Sequence, residues 1–236
     1  MNALWISRLC AYKNSPLRYI SAQKIIEVKT ERQSILLKSN KISTEGMKMH
    51  LPKTVYSTSE ILLAEARFAK QYWKKFKILL PRWAHFPGRT PRGKDIANQL
   101  LDIGYHHITN KVTGILIGQK VTPAMGIIHS PRRAKSAPLS YDLVELFRAD
   151  LVDTEVLRFL RLKKKPLSDL NQAHIARFLY SINKRLERKY YIKDFKQCHS
   201  YHYYMELQIV KFIKAVNHNE AFEPIYLPSR NETRCA

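Results

Sequence analysis

The sequence has little glycine and cysteine and lacks a long apolar run. Seven glycines occur in 236 residues, and apolar residues recur mostly at intervals of three and four, which favours helices over sheets. The three cysteines form no closely spaced pair, which argues against a disulfide framework or a zinc cluster. No run of about 18 apolar residues occurs, and no signal peptide is recognisable. We therefore predict a mainly α, cytoplasmic protein without a membrane segment.

Acidic residues are also scarce. The chain has 19 Asp and Glu against 41 Lys and Arg, which gives a formal charge of +22. A surface this basic attracts polyanions, and without a membrane segment nucleic acid is the favoured partner. The hydrophobic content of 45% is sufficient for a packed core, which excludes whole-chain disorder.

Apolar spacing and capping signals predict a series of helices. Ser57 followed by Glu60 is typical of a capping box, and Asp95 is a typical N-cap residue. Ser168 or Asp169 is expected to cap a later helix that includes 175–186. The other helices are predicted at about 16–39, 58–80, 95–117, from 138 onward and at 200–218.

Glu65 lies on an apolar face of the second predicted helix. At helical spacing it shares that face with Ile61, Phe68 and Tyr72. An inward carboxylate requires a counter-charge, which either a buried Arg or Lys or a bound cation would supply.

Two later segments carry further candidate ligands. The turn at 123–126 leads through two isoleucines to His129, and a single histidine in such a setting is more often a core or surface residue than a ligand. Asp142 and Glu145 are three residues apart on one helix, so their carboxylates repel unless a cation or a proton lies between them. With few basic residues at helical spacing from the pair, a bound metal ion is favoured.

Together, and in this order, these segments resemble the catalytic helical domain of the CRISPR-associated integrase family, which inserts new spacer DNA into CRISPR arrays. The most specific match spans 123–148. There a proline, a small residue, a glycine and an apolar pair precede His129, and Asp-Leu-x-Glu and Phe-Arg follow after a variable loop. The matches at 20–29 and 95–105 are weaker. The resemblance implies a single helical domain.

The resemblance also implies a site and a reaction. Glu65, His129 and Glu145 match the family's metal ligands, and Asp142 its auxiliary acidic position. Nitrogen and oxygen donors without thiolate suit Mg²⁺ or Mn²⁺. The implied reaction joins a DNA 3′-hydroxyl to a phosphodiester of target DNA, and its reversal, disintegration, is expected too.

The implied partner is double-stranded DNA, namely the spacer precursor and the CRISPR repeat and leader. We expect a homo-oligomer, while assembly with the small ferredoxin-fold adaptation partner stays open. The predicted DNA contacts are Arg82, Arg89, Arg92, Lys94, Tyr105, Arg132, Arg133 and Lys135.

The expected organisation is a short N-terminal remnant at 1–14, the helical catalytic domain at 15–221 and an extended tail at 222–236. Family members usually begin with a β-rich domain through which two copies pair, and we expect that domain to be absent here. The apolar residues Leu4, Trp5, Ile6 and Leu9 of the remnant would then either dock across protomers or pack onto their own helices.

Two alternatives are kept. A transposon-encoded integrase with the same catalytic domain would use the same chemistry on different DNA. A basic protein that coats DNA or RNA without catalysis would not need Glu65 on an apolar helix face.

Overall fold

The computed structural model describes residues 3–50, 57–130, 136–163 and 166–226. Over these ranges the chain forms eight α-helices, which confirms the mainly α prediction. No described helix is both long enough and apolar enough to cross a bilayer. The helices are α1 (Ala3–Lys13), α2 (Leu17–Ser39), α3 (Thr58–Leu79), α4 (Ile96–Gly118), α5 (Pro138–Val144), α6 (Thr154–Arg161), α7 (Gln172–Leu186) and α8 (Tyr201–His218).

Side-chain caps determine where several helices begin. The capping box of α3 is confirmed, because the Ser57 hydroxyl accepts from the Glu60 amide and the Glu60 carboxylate accepts from the Ser57 amide. Asp95 caps α4 as predicted, accepting from the amide of Asn98. The prediction for α7 is wrong: Asn171, and not Ser168 or Asp169, accepts from the first turn.

The N-terminal segment packs onto its own helices. Residues 3–13 form α1, in which Trp5, Leu9 and Tyr12 are buried in the common core. The Tyr12 hydroxyl donates to the carbonyl of Glu220 at 2.9 Å and lies 2.5 Å from the hydroxyl of Ser21 in α2. In the structure this segment therefore packs onto its own chain, which is one of the two predicted alternatives; the other was docking across protomers.

A π-helical turn, Ala149–Asp153, joins α5 to α6 and supplies the buried carboxylate of Asp153 and the partly buried carboxylate of Asp150. Asp150 accepts two hydrogen bonds from Arg32 of α2 and one from the Tyr201 hydroxyl of α8. Asp153 accepts from the hydroxyls of Tyr72 in α3 and Tyr105 in α4. One short segment thus connects four helices around it.

A two-stranded antiparallel hairpin, absent from the sequence predictions, precedes α8. Strand β1 (Lys189–Ile192) pairs with β2 (Gln197–Ser200), with Lys189 opposite Ser200. Ser200 also caps α8 by accepting from the amide of Tyr203 at 3.1 Å. The hairpin therefore ends at the residue that starts the last helix.

Candidate active site

Glu65 and Glu145 approach each other across a single lysine. Glu65 comes from the third turn of α3, and Glu145 follows the last residue of α5. The Nζ atom of Lys29 in α2 lies 2.8 Å from the Glu65 Oε1 atom and 2.8 Å from the Glu145 Oε2 atom. Of the two sources of counter-charge considered for Glu65, the structure shows a lysine.

Arg148 binds the other oxygen of Glu145. Its Nη1 donates to Glu145 Oε1 at 2.5 Å, and its guanidinium stacks 3.7 Å from the ring centroid of Tyr105. Burial alone would raise the pKa of Glu145, but Arg148 and Lys29 outweigh it and hold that pKa at about 2. The same ion pair raises the pKa of Arg148 against its burial. Glu145 is therefore a charged carboxylate inside the protein.

Asp142 holds the turn that carries His129. Its fully buried carboxylate accepts from the backbone amides of Ile127 at 2.6 Å, Ile128 at 3.0 Å and His129 at 2.9 Å. The Asp142 Oδ1 atom also lies 2.7 Å from Nδ1 of the His129 ring. Asp142 thus fixes both the backbone and the ring of His129, as an outer carboxylate does for a ligating histidine.

The hydrogen bond from His129 to Asp142 raises the pKa of the imidazole above its ordinary value, although burial acts in the opposite direction. With Nδ1 bonded to Asp142, Nε2 is the ring nitrogen available to a ligand. The imidazole is therefore held in one orientation with a single nitrogen to offer.

The expected repulsion between Asp142 and Glu145 does not require a shared cation. Asp142 faces the backbone amides of the 127–129 turn, while Glu145 faces Lys29 and Arg148. The shortage of nearby positive charge that favoured a metal ion is not found at Glu145. Its cationic partners are Lys29, from a distant helix, and Arg148, three positions further along the chain.

The three predicted ligands line one cavity of about 270 Å³. Glu65, His129 and Glu145 share it with Lys29, Arg148 and Arg89. A second cavity of about 730 Å³ shares His129, Glu145, Arg148 and Arg89 with the first and adds Arg92 and Tyr105. Three positions far apart in the sequence thus lie around one pocket that has a basic rim.

Three of the residues predicted to contact DNA, Arg89, Arg92 and Tyr105, line the larger cavity, whereas Arg82 and Lys94 are not among its lining residues. Arg89 is bonded to Asp102 and Asn98 at the cavity wall. Tyr105 is buried beneath Arg148, with its hydroxyl bonded to Asp153, so only its ring face adjoins the cavity. Arg82, Arg92 and Lys94 are exposed. Arg132, Arg133 and Lys135 lie outside the described residues.

Across the described ranges, no three His, Cys, Asp or Glu side chains lie close enough together to hold a metal ion. The Lys29 ammonium lies between the two glutamates instead. The donor set nevertheless suits a hard divalent cation, because it combines two carboxylates with an imidazole held by an outer carboxylate. Among the described residues, the buried Glu145 Oε2 atom has Lys29 as its ion-pair partner and no further hydrogen-bond partner. The residue types therefore fit a metal ion, while the observed arrangement has the lysine between the two carboxylates.

Two residues of this cluster, Lys29 and Arg148, were not among the predicted site residues. Lys29 follows Ala22, Ile25 and Ile26 at helical spacing on the buried face of α2, and a lysine in such a pattern indicates an inward charge. Arg148 lies one turn after Glu145. The position of each basic residue on its helix is visible in the sequence, but it does not predict which carboxylate the side chain pairs with.

Comparison with protein-family models matches residues 2–196 to the family described as "CRISPR associated protein Cas1". The chain belongs to the Cas1 family. Its relatives include the CRISPR-associated endonuclease Cas1 1 of Saccharolobus solfataricus, which is 29% identical over 182 residues and covers 72% of this chain and 51% of its own length. Another is the CRISPR-associated endonuclease Cas1 3 of Thermus thermophilus, which is 28% identical over 172 residues, with 71% of this chain and 52% of the relative covered. The chain spans about half the length of these relatives.

Solved structures share the fold. A Cas1 protein from Thermotoga maritima superposes with a TM-score of 0.81 at 18% identity, covering 94% of this chain and 73% of that one. A casposase bound to an integration product superposes with a TM-score of 0.79 at 19% identity, covering 96% and 69%. At these identities the likeness shows the fold, and the predicted single helical domain of Cas1 type is confirmed.

Proposed function

We propose that this Cas1-family chain is a metal-dependent DNA integrase that joins a DNA 3′-hydroxyl to a phosphodiester of target DNA. The observation that carries the proposal is the convergence of Glu65, His129 and Glu145 on one cavity with a basic rim. A protein that only coats nucleic acid binds through its basic surface and has no need of two glutamates and a histidine that converge on one cavity. The reaction forms one P–O bond as it breaks another, so its reversal is expected as well.

Glu65, Glu145 and the Nε2 atom of His129 would hold Mg²⁺ or Mn²⁺. When bound, the ion would polarise the scissile phosphate and stabilise the charge that develops on it. Asp142 keeps the His129 ring in place, since it holds both the Nδ1 atom and the backbone of that turn. Arg148 keeps Glu145 ionised at the pH of the cell. The chain's own contribution is thus a fixed, charged donor set.

The basic rim would bind the DNA backbone. Arg89 and Arg92 line the larger cavity next to His129, and the formal charge of +22 adds a long-range attraction. Arg82, Lys94 and Tyr105, and the undescribed Arg132, Arg133 and Lys135, are proposed to extend this contact. Such contacts position the duplex and carry little sequence information.

For the biological role we propose spacer insertion into a CRISPR array, with the spacer precursor and the repeat and leader as the DNA partners. Two active sites are needed to join both ends of a spacer, so a homo-oligomer is proposed. A matching structure at TM-score 0.78 and 21% identity is named a Cas6-RT-Cas1–Cas2 complex, which supports testing the small adaptation partner. The likeness to the casposase favours a second candidate, integration of transposon ends.

The test incubates fluorescent duplexes that carry 3′-hydroxyl ends with a supercoiled plasmid, in Mn²⁺, in Mg²⁺ and in EDTA. Wild-type protein is expected to transfer label to the plasmid only with a divalent cation. Glu65→Gln, His129→Gln and Glu145→Gln are each expected to lose transfer while still binding DNA. Glu206→Gln, which changes a partly exposed glutamate of α8 outside the cavity, is the charge-matched control. Full transfer by Glu145→Gln would refute the site.

Substrate choice separates the two roles. A repeat-bearing plasmid that receives label at the repeat borders supports spacer insertion, whereas preference for transposon ends over other duplexes supports the second candidate. Omission and addition of the small adaptation partner, with light scattering on the same samples, tests the proposed assembly.

A further inference from the structure

The ammonium of Lys29 lies where a cation shared by the two glutamates would lie. Its Nζ atom is 2.8 Å from each carboxylate, and its side chain is 11% exposed. Glu65 and Glu145 come from different helices and converge from two sides on this one atom. A metal ion bound by both carboxylates and the Lys29 ammonium therefore require the same space.

The charges of the cluster lead to the same conclusion. Two carboxylates, Glu65 and Glu145, face two cations, Lys29 and Arg148. These two carboxylates therefore need no metal ion for neutralisation, and a divalent cation drawn to both of them would lie against the Lys29 ammonium. Two cations this close repel each other, so entry of the ion favours the departure of a cationic side chain.

Lys29 is the side chain that is free to leave. Arg148 is held by the Glu145 Oε1 atom and by the face of Tyr105, 3.7 Å from its guanidinium. Within the described part of the chain, Lys29 forms ion pairs with the two glutamates. It has a flexible four-carbon stem and lines the 270 Å³ cavity. The cavity offers the ammonium a place next to the rim proposed for DNA.

From this geometry we infer that Lys29 is an internal competitor of the metal ion. The ammonium neutralises Glu65 and Glu145 in the metal-free protein, and a divalent cation must displace it to reach both carboxylates. Displacement moves the positive charge of Lys29 into the cavity, where a phosphate would meet it. The identity of the ligand as a divalent cation rests on the proposed function. Lys29 acts on that ion through Glu65 and Glu145, and not as a catalytic residue.

Competition predicts that removal of the ammonium tightens metal binding. The Lys29→Met protein, which keeps the length of the side chain but not its charge, is titrated with Mn²⁺ by isothermal calorimetry in the absence of DNA. Its Kd for Mn²⁺ is expected to fall by about tenfold, the gain when a binding-competent state rises from about a tenth of the molecules to nearly all of them. Lys38→Met, an exposed lysine on the same helix, controls for the lost net charge and is expected to keep the wild-type Kd.

A second measurement separates competition from a general loosening of the site. In EDTA the Lys29→Met protein is expected to melt at a lower temperature than wild type, because two carboxylates lose their partner. In saturating Mn²⁺ that difference is expected to shrink or reverse. If Lys29→Met does not fold, Lys29→Gln, which keeps a polar head without the charge, takes its place in both experiments.

An unchanged or weaker Mn²⁺ affinity of a folded Lys29 variant would overturn the inference. The proposed function would survive that result if wild-type strand transfer still required the cation and was lost in Glu145→Gln. The reverse result is tighter Mn²⁺ binding by the Lys29 variant together with no strand transfer by the wild-type chain. It would support the competition between Lys29 and the ion and count against the integrase.

Discussion

Gly126→Ala is the substitution that tests the geometry around His129 most directly. A Cβ atom added at Gly126 would lie 2.5 Å from the Asp142 Oδ2 atom, 2.8 Å from the carbonyl oxygen of His129 and 3.0 Å from the backbone of Pro138. Real Cβ atoms do not approach neighbours this closely, so the turn or the carboxylate must shift. Gly126 is therefore required by close packing against the Asp142 carboxylate and the backbone of His129 and Pro138, and not by a positive φ angle.

The cost follows from what has to move. Forcing a methyl group into a packed site costs about 1–3 kcal/mol. Displacing Asp142 also weakens its bonds to the amides of Ile127 and Ile128, and one hydrogen bond to a charged group contributes about 1.5–3 kcal/mol. We expect Gly126→Ala to lower the free energy of unfolding by about 3–6 kcal/mol.

Gly114→Ala is the matched control for this measurement. Gly114 lies within α4, and a Cβ atom there meets nothing within 4 Å. The same substitution should therefore stabilise the protein by about 0.5–1 kcal/mol, the usual advantage of alanine over glycine inside a helix. Urea denaturation of the wild type and both variants measures the difference. Equal stabilities of Gly126→Ala and Gly114→Ala would refute the role assigned to Asp142.

Three further predictions follow from the structure. In EDTA, NMR titration of the His129 ring should give a pKa above 6.5, and Asp142→Asn should remove that rise. The contribution of the His129–Asp142 pair to the free energy of unfolding is then fully present below about pH 6.5 and is lost as pH rises through the raised pKa. Leu9→Ala should cost about 2–5 kcal/mol in denaturant melts, because Leu9 is buried in α1, whereas Leu4→Ala at an exposed position of α1 should change stability by less than about 0.5 kcal/mol. DNA affinity measured by fluorescence anisotropy should fall by about 10³–10⁵ between about 50 and 200 mM salt if 6–10 phosphates are neutralised, and a flat dependence would contradict the basic rim.

The helices were predictable wherever a local signal fixed their ends. The capping box at Ser57 and the cap at Asp95 are decided by residues three positions apart, so tertiary structure adds nothing to them. The cap at Asn171 was missed because Ser168, Asp169 and Asn171 are all suitable residues, and only packing selects among them. The hairpin at 189–200 was missed for a related reason: four-residue strands carry too little periodicity to be read.

The partners of buried charged residues could not be predicted from the sequence. The π-helical turn brings Asp150 and Asp153 to partners on four helices, and no local pattern predicts which residues those are. Burial raises the pKa of Asp153 despite the two tyrosine hydroxyls that donate to its carboxylate. The prediction that Glu65, His129 and Glu145 share one pocket came from the family resemblance. A carboxylate on an apolar helix face indicates only that a counter-charge is present.

That counter-charge links the fold to the proposed chemistry. Two carboxylates brought together from α3 and the end of α5 would repel each other while the chain folds, before any metal ion has bound. Lys29 removes this repulsion from within the chain, so the pocket can form without the ion. In the proposed reaction the same ammonium would oppose loading by the divalent cation. A lysine in the pocket would therefore let the fold form without the metal ion and would let one side chain set the metal affinity.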